Sequence, residues 1–358
     1  MKWPKIRDDL SFLEGYHSPQ VDVQIRLNTN ESPIQPPQQW VDDLTEELRR
    51  IEWNRYPDRS MKQLSNDIAD FHSVDSDMVF AANGSNEVIQ SLLLAYGGFG
   101  RKASVFEPTY ALHSHISAIT GTEVIVGECN DDFAIETETL DKVLEQQPNV
   151  LFLCSPNNPT GTVAKRDFVE SAVEKCAAMG TLVIVDEAYG EFSDWSAVDL
   201  IREGSPIAVT KTFSKTWSMA GIRLGYVVAP KAVVESVKTV ALPYHLDAVK
   251  QIAGSLALQH IYEMHSRVAI LVQERERMAQ RLLKLPVQQW PSGANFILFR
   301  ATEKAQKTGA DLWKALLDKS ILVRDCSSWP RLEGCLRVTI GTPEENDSFL
   351  EHLEAILE

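Results

Sequence analysis

The chain has 358 residues, of which 44% are hydrophobic and 24% charged, and a formal net charge of −15. A single hydrophobic core stops growing at roughly 250–300 residues, so two packed domains are expected, and a disulfide-stapled or metal-clipped small fold is unnecessary. The acidic balance argues against a nucleic-acid partner, which would need a basic stripe, and requires any anion site to be built locally from a few arginines and helix N-termini.

The N-terminal residues Met1 to Leu10 lack the apolar core of a signal peptide, and no stretch approaches the ~20 apolar residues of a membrane span. A cytoplasmic protein with no membrane partner is therefore expected. The cysteines, Cys129, Cys154, Cys176, Cys326 and Cys335, are odd in number and show no C-x-x-C spacing, so buried reduced thiols are expected.

In chain order, the first forty or so residues contain Pro33, Pro36 and Pro37 and read as an extended arm. From about Asp77 to Ala229, short β-branched runs alternate with amphipathic stretches, the pattern of βα units on a mostly parallel sheet. Strands are expected over 78–82, 103–106, 123–126, 150–154, 182–185, 207–210 and 224–228. Several are apolar throughout, as strands covered by helices on both faces should be. Helices are expected over 86–96, 111–119 and 165–178, with Gly98, Gly121 and Gly180 closing them. After Pro230 long helical segments fill about 246–283. A smaller α+β unit follows, with strands near 295–299, 321–324 and 336–340 and helices near 310–317 and 343–356. The division read from this is an arm with part of a small domain over 1–45, a large domain over 46–255 and a C-terminal small domain over 256–358.

The residues suited to chemistry cluster at strand ends. The run Ala81-Ala82-Asn83-Gly84-Ser85-Asn86-Glu87 joins a strand to a helix through glycine and leaves free N–H groups at a positive helix end. It suits a phosphate, although Ser85 or Asn86 would serve equally as a plain N-cap. Glu107-Pro108-Thr109-Tyr110 ends the next strand, where Tyr110 could stack on an aromatic ligand or simply pack in the core. In Cys154-Ser155-Pro156-Asn157-Asn158-Pro159-Thr160-Gly161, prolines and glycine specify a rigid turn directly after an apolar strand. In Val183-Ile184-Val185-Asp186-Glu187-Ala188-Tyr189 an apolar strand delivers Asp186 at the end where open α/β sheets bind ligands. A carboxylate there can keep a pyridine nitrogen protonated, or cap a helix.

The most informative segment is Lys211-Thr212-Phe213-Ser214-Lys215-Thr216-Trp217-Ser218-Met219-Ala220-Gly221-Ile222-Arg223. It sets one lysine among hydroxyls, with an arginine two helical turns later. An aldehyde cofactor such as pyridoxal phosphate needs an amine to hold it as an imine and donors around its phosphate. Lys215 can supply the amine, and Thr212, Ser214 and Arg223 the phosphate contacts. A solvated lysine in a Ser/Thr-rich loop is the plain alternative.

Together these segments resemble the pyridoxal-phosphate-dependent aminotransferases of fold type I, and within them the histidinol-phosphate aminotransferase family. The resemblance runs over nearly the whole chain, from Leu27-Asn28-Thr29-Asn30-Glu31-Ser32-Pro33 and Arg55-Tyr56-Pro57-Asp58 through the motifs above to the C-terminal stretch Leu336 to Asn346. It implies an α/β fold with a seven-stranded, mostly parallel sheet and a smaller α+β domain. It further implies that Lys215 forms the Schiff base and that Asp186 pairs with the pyridine nitrogen. Asn158 and Tyr189 would bind the phenolic oxygen, and Tyr110 would stack on the ring. Gly84, Ser85, Asn86, Thr212, Ser214 and Arg223 would surround the phosphate. Tyr56 would reach into the site of a neighbouring subunit, implying a homodimer. Arg324, Arg337 and Tyr16 match positions that grip the anionic end of the substrate, and Asn158 also counts among the substrate contacts. The expected reaction is transamination between histidinol phosphate and 2-oxoglutarate. An aromatic amino-acid aminotransferase, a threonine-phosphate decarboxylase and a non-catalytic relative stand as alternatives.

Overall fold

The computed structural model describes residues 3–11, 13, 15 and 21–358. Among the described residues twelve strands form two sheets. The larger contains β2 (Val79–Ala82), β3 (Lys102–Glu107), β4 (Glu123–Glu128), β5 (Val150–Cys154), β6 (Leu182–Asp186), β7 (Ile207–Thr212) and β8 (Gly225–Val228). The smaller contains β1 (Ile25–Leu27), β9 (Val287–Gln289), β10 (Phe296–Ala301), β11 (Ile321–Asp325) and β12 (Cys335–Thr339).

The larger sheet has the order β2-β8-β7-β6-β5-β3-β4 and is parallel except at β8, which runs antiparallel to both β2 and β7. This matches the seven strands expected from the sequence. Residues of β6 are buried along its whole length, as unbroken apolarity requires of a central strand covered on both faces. The intervening helices are α3 (Ser85–Tyr96), α4 (Leu112–Ile119), α5 (Thr137–Leu144) and α6 (Arg166–Met179), the last closed by Gly180 at φ 72°.

The smaller sheet has the order β1-β11-β12-β10-β9. Its helices α10 (Gly309–Asp318) and α11 (Pro343–Leu357) both begin with a reciprocal capping box, Thr308 with Asp311 and Thr342 with Glu345. The arm is more ordered than an extended segment: β1 joins this sheet in parallel with β11, and the chain then passes to the larger one. Asn30, at φ 55°, bridges the two: on the smaller-sheet side it exchanges hydrogen bonds with Thr339 at 3.0 Å and accepts from Asn295 at 3.1 Å, and on the larger-sheet side it donates from Nδ2 to the Tyr189 hydroxyl at 2.8 Å.

Helices α1 (Gln38–Arg50), α2 (Lys62–His72), α5 and α7 (Lys231–Val240) were not among the expected elements. In α1 a short apolar stripe is present, Trp40, Leu44 and Leu48 at i, i+4 and i+8, but Trp40 alone of it is buried. The helical stretch over 246–283 divides into α8 (Ala248–Ala257) and α9 (Ile261–Leu282), with α8 packed on α1 and α2 and α9 on α11 and the smaller sheet. No helix among the described residues is long and apolar enough to cross a membrane.

Behind β6 and β7 lies a buried charge cluster. The Lys211 ammonium sits 2.9 Å from Glu187 and 3.1 Å from Glu191. Burial alone would lower the Lys211 pKa, but the two carboxylates reverse this and hold it above its ordinary value. Lys211 and Glu187 are each next in sequence to a residue of the opposite strand face, Thr212 and Asp186. The period-2 alternation thus puts the charge cluster on one side of the sheet and the cleft described next on the other.

Candidate active site

The carboxyl ends of β5, β6 and β7 open into a cavity of about 510 Å³, closed from the opposite side by residues 28–31 and by the smaller sheet. Its lining brings together Ser85, Asn86, Tyr110, Asn158, Asp186, Tyr189, Thr212, Ser214, Lys215, Arg223, Arg324 and Arg337, which the sequence singles out from separate segments.

Asp186 is 2% exposed, although it ends an apolar strand. Its Oδ2 lies 2.9 Å from His113 Nε2, while Oδ1 accepts from the Ala188 N–H at 3.1 Å and from the Thr210 hydroxyl at 3.4 Å. These contacts fix the carboxylate's position. His113 is itself buried and stacked on Phe152, with ring centroids 4.6 Å apart.

Lys215 reaches the Thr29 carbonyl at 3.0 Å. Burial, reinforced chiefly by the nearby positive Arg337, lowers its pKa to about 7. An amine that is half neutral at physiological pH can attack a carbonyl or accept a proton, which an ordinary lysine cannot do readily. Tyr189 lies beneath it, its ring centroid 5.8 Å from the ammonium; burial pushes the phenol up to about 12 and keeps it a hydrogen-bonding OH.

The loop after β7 is tied by its own hydroxyls. Thr212 Oγ1 donates to Ser214 Oγ at 3.0 Å, and the same Ser214 oxygen accepts from Arg223 at 3.2 Å. Arg223 is in the left-handed region at φ 57° and packs across Gly84, where a Cβ would stand 2.8 Å from its guanidinium. Glycine at 84, φ 85°, therefore lets the arginine lie against the N-terminus of α3. Two hydroxyls, a guanidinium and the first N–H groups of α3 converge there, the composition of a phosphate cradle. Tyr110 donates to Asn86 Oδ1 at 3.2 Å beside it.

From the smaller sheet come Arg324 and Arg337, directly paired across β11 and β12. Arg337 is buried, donates to the Asn28 carbonyl at 2.9 Å and to Asn158 Oδ1, and lies 5.1 Å from the Phe296 ring centroid, while its Nε is buried with no hydrogen-bond partner. An unmatched buried donor is costly and marks a place where an acceptor should arrive.

One expected residue stands elsewhere. Tyr56 is 80% exposed, outside the cavity, and stacked on Tyr244 with centroids 4.6 Å apart. Tyr16 lies outside the described residues. The sequence reading missed His113, Thr29, Asn30 and Trp329, which also line or support the cavity. His113 did leave a signal, because it shares the buried stripe of α4 with Ile116 and Ser117 at i+3 and i+4.

A β-strand-end lysine, a buried aspartate and an anion cradle in one α/β cleft define an enzyme that handles amines through an aldehyde cofactor. The model of aminotransferase class I and II matches residues 22–353, and the chain belongs to that family, whose cofactor is pyridoxal phosphate. It is 44% identical to the histidinol-phosphate aminotransferase of Corynebacterium efficiens over 357 residues, spanning 96% of this chain and 93% of that protein. Among solved structures it resembles the histidinol-phosphate aminotransferase of Clostridium acetobutylicum, with a TM-score of 0.86 and 21% identity over 93% of this chain and 99% of that one. It also resembles that of Sinorhizobium meliloti in complex with pyridoxal 5'-phosphate, with a TM-score of 0.85 and 18% identity over 94% and 91% of the two chains. The residues present fit this cofactor: the cleft offers a near-neutral amine, a buried carboxylate and the cradle at Gly84 and Arg223.

Proposed function

We propose that the protein transfers the amino group of L-histidinol phosphate to 2-oxoglutarate, giving imidazole-acetol phosphate and L-glutamate, as a step of histidine biosynthesis. The observation that carries this is the convergence of the Lys215 amine with the Arg324 and Arg337 pair in one cavity. A dianionic phosphate ester suits two adjacent guanidiniums, and the same pair takes the carboxylates of the second substrate.

Pyridoxal phosphate, when bound, supplies the carbonyl that takes up the amino group and the ring that accepts an electron pair. Gly84, Ser85, Asn86, Thr212, Ser214 and Arg223 would hold its phosphate. Asp186, fixed by His113, would face the pyridine nitrogen, Tyr110 would lie on the ring, and Asn158 and Tyr189 would face the phenolic oxygen. Lys215 would remove the proton from the substrate carbon as general base and, in its protonated form, give a proton back as general acid. Its lowered pKa suits both directions. Arg324, Arg337 and Tyr16 would hold the anionic end of the substrate.

Chains would pair as a homodimer, with Tyr56 entering the partner's cleft; its exposure in a single chain leaves it available for this. The five cysteines are free, which fits a reducing compartment and supports a cytoplasmic location. We further propose a division into an arm with part of the small domain over 1–45, a large domain over 46–255 and a C-terminal small domain over 256–358, a reading supported by β9 to β12 of the smaller sheet all falling after residue 256.

The test is the half-reaction of the cofactor-loaded protein with histidinol phosphate, glutamate, phenylalanine and threonine phosphate in turn, followed by the cofactor's absorbance. Rapid conversion by histidinol phosphate and glutamate, with phenylalanine much slower, is expected. Preference for phenylalanine would reassign the donor to aromatic amino acids, and carbon dioxide release from threonine phosphate would make the protein a decarboxylase.

A further inference from the structure

Three aromatic side chains line the cavity among the described residues: Tyr110, Tyr189 and Trp329. Tyr110 is tied to Asn86 in the phosphate cradle, and Tyr189 is held by Asn30 with its ring edge on Phe296. Trp329 has no part in those contacts. It comes from the loop over 326–334 that joins β11 to β12, the two strands that carry Arg324 and Arg337.

That loop is built rather than draped. The Trp329 N–H donates to Cys326 O at 3.0 Å, Leu332 N–H to Trp329 O at 3.1 Å, and Cys326 N–H to Cys335 O at 3.0 Å. Cys326, Leu332 and Cys335 are buried in a small core with Phe133, Trp290 and Leu298, and the half-buried Trp329 packs against it. Arg331, at φ 63°, crosses to the larger sheet, donating to the Cys129 carbonyl and to Asp131 at 3.0 Å. Phe133, from the same large-sheet segment, belongs to that core, with its ring centroid 5.0 Å from that of Trp290. One side of Trp329 is thus fixed by packing, and the residue also borders the cavity that holds Lys215 and the two arginines.

We infer that Trp329 determines donor specificity by forming the wall against which a flat heteroaromatic or aromatic ring of the donor lies, with Arg331 as the residue that positions it. The inference rests on the transaminase reading above and deepens it. A rigid indole offers a ring-bearing donor a large contact at little entropic cost. A flexible dicarboxylate without a ring gains nothing from it. The two half-reactions of one enzyme should therefore respond differently to the same substitution.

The experiment measures single-turnover half-reactions of the loaded enzyme and of Trp329→Ala, Trp329→Phe and Arg331→Ala, with histidinol phosphate, phenylalanine and glutamate. For Trp329→Ala the concentration of the ring-bearing donor giving half-maximal rate should rise about tenfold or more, with glutamate unchanged within about twofold. Trp329→Phe should recover most of the loss, and Arg331→Ala should show a weaker version of the same split. Equal losses for all donors, or no change with either ring-bearing donor, would overturn the assignment. If the parent enzyme prefers phenylalanine, the histidinol-phosphate reading fails, and the Trp329 inference stands only if the variants lose phenylalanine selectively. A parent active with glutamate and with no ring-bearing donor would overturn both.

Discussion

Arg324 and Arg337 face each other as direct partners across the antiparallel strands β11 and β12, with both side chains at the cavity. Like charges directly opposite in a ladder are unfavourable, and an anion between them reverses the sign of that interaction. The pair is therefore set for a ligand with two negative charges or two separate acceptor oxygens.

Arg337→Lys keeps the charge and loses the planar fork that reaches both the Asn28 carbonyl and Asn158. The expected result is a fall in kcat/KM for histidinol phosphate of about 10- to 100-fold, the value of one charged hydrogen bond of about 1.5–3 kcal/mol. Steady-state kinetics of the variant check this, and parity with the parent would remove Arg337 from the substrate site.

For Lys215 the pH dependence has a definite sign. Burial and Arg337 lower its pKa, so the neutral amine predominates above about 7. Capture of pyridoxal phosphate by the cofactor-free protein should speed up about tenfold per pH unit below that value and level off above it. A rate that keeps climbing to about pH 10 would mean an ordinary lysine there. Lys215→Ala should abolish transamination while leaving the melting curve that of a folded protein.

His113→Phe removes the partner of Asp186 Oδ2 while preserving a flat ring against Phe152. Loss of one buried hydrogen bond to a carboxylate should cost about 1–3 kcal/mol of stability. If Asp186 serves both half-reactions as proposed, their maximal rates should fall together, with each donor's half-saturating concentration unchanged within about twofold. A loss confined to one donor would place His113 at the substrate rather than behind the aspartate.

Tyr56 is solvent-exposed in the single chain and stacked on Tyr244. The protein should sediment as a dimer, and Tyr56→Phe should weaken cofactor retention by about tenfold or more, as loss of one hydrogen bond to a charged group does. Equilibrium dialysis of the cofactor measures it. An active monomer, or an unchanged dissociation constant, would end the cross-subunit role.

Sequence by itself determined the strands of the larger sheet and most of the polar side chains that line the cavity. Runs such as Leu182–Asp186 are apolar without interruption until one carboxylate, and such a break at a strand end has few structural uses. Lys215 among hydroxyls, and Gly84 before Ser85, were legible for the same reason: the chemistry is written in consecutive residues. Tertiary structure alone decided what lies across the cleft. Thr29 and Asn30, from the arm, meet Lys215 and Tyr189 more than 150 positions away. The pairing of Arg324 with Arg337 depends on strand register, which no local pattern encodes. The lowered pKa of Lys215 comes from burial and from a guanidinium of the other sheet, so it exists only once the two sheets are packed. Trp329 is the clearest case, since nothing in Ser328-Trp329-Pro330 separates a core tryptophan from a cavity wall until Arg331 ties its loop to the far side.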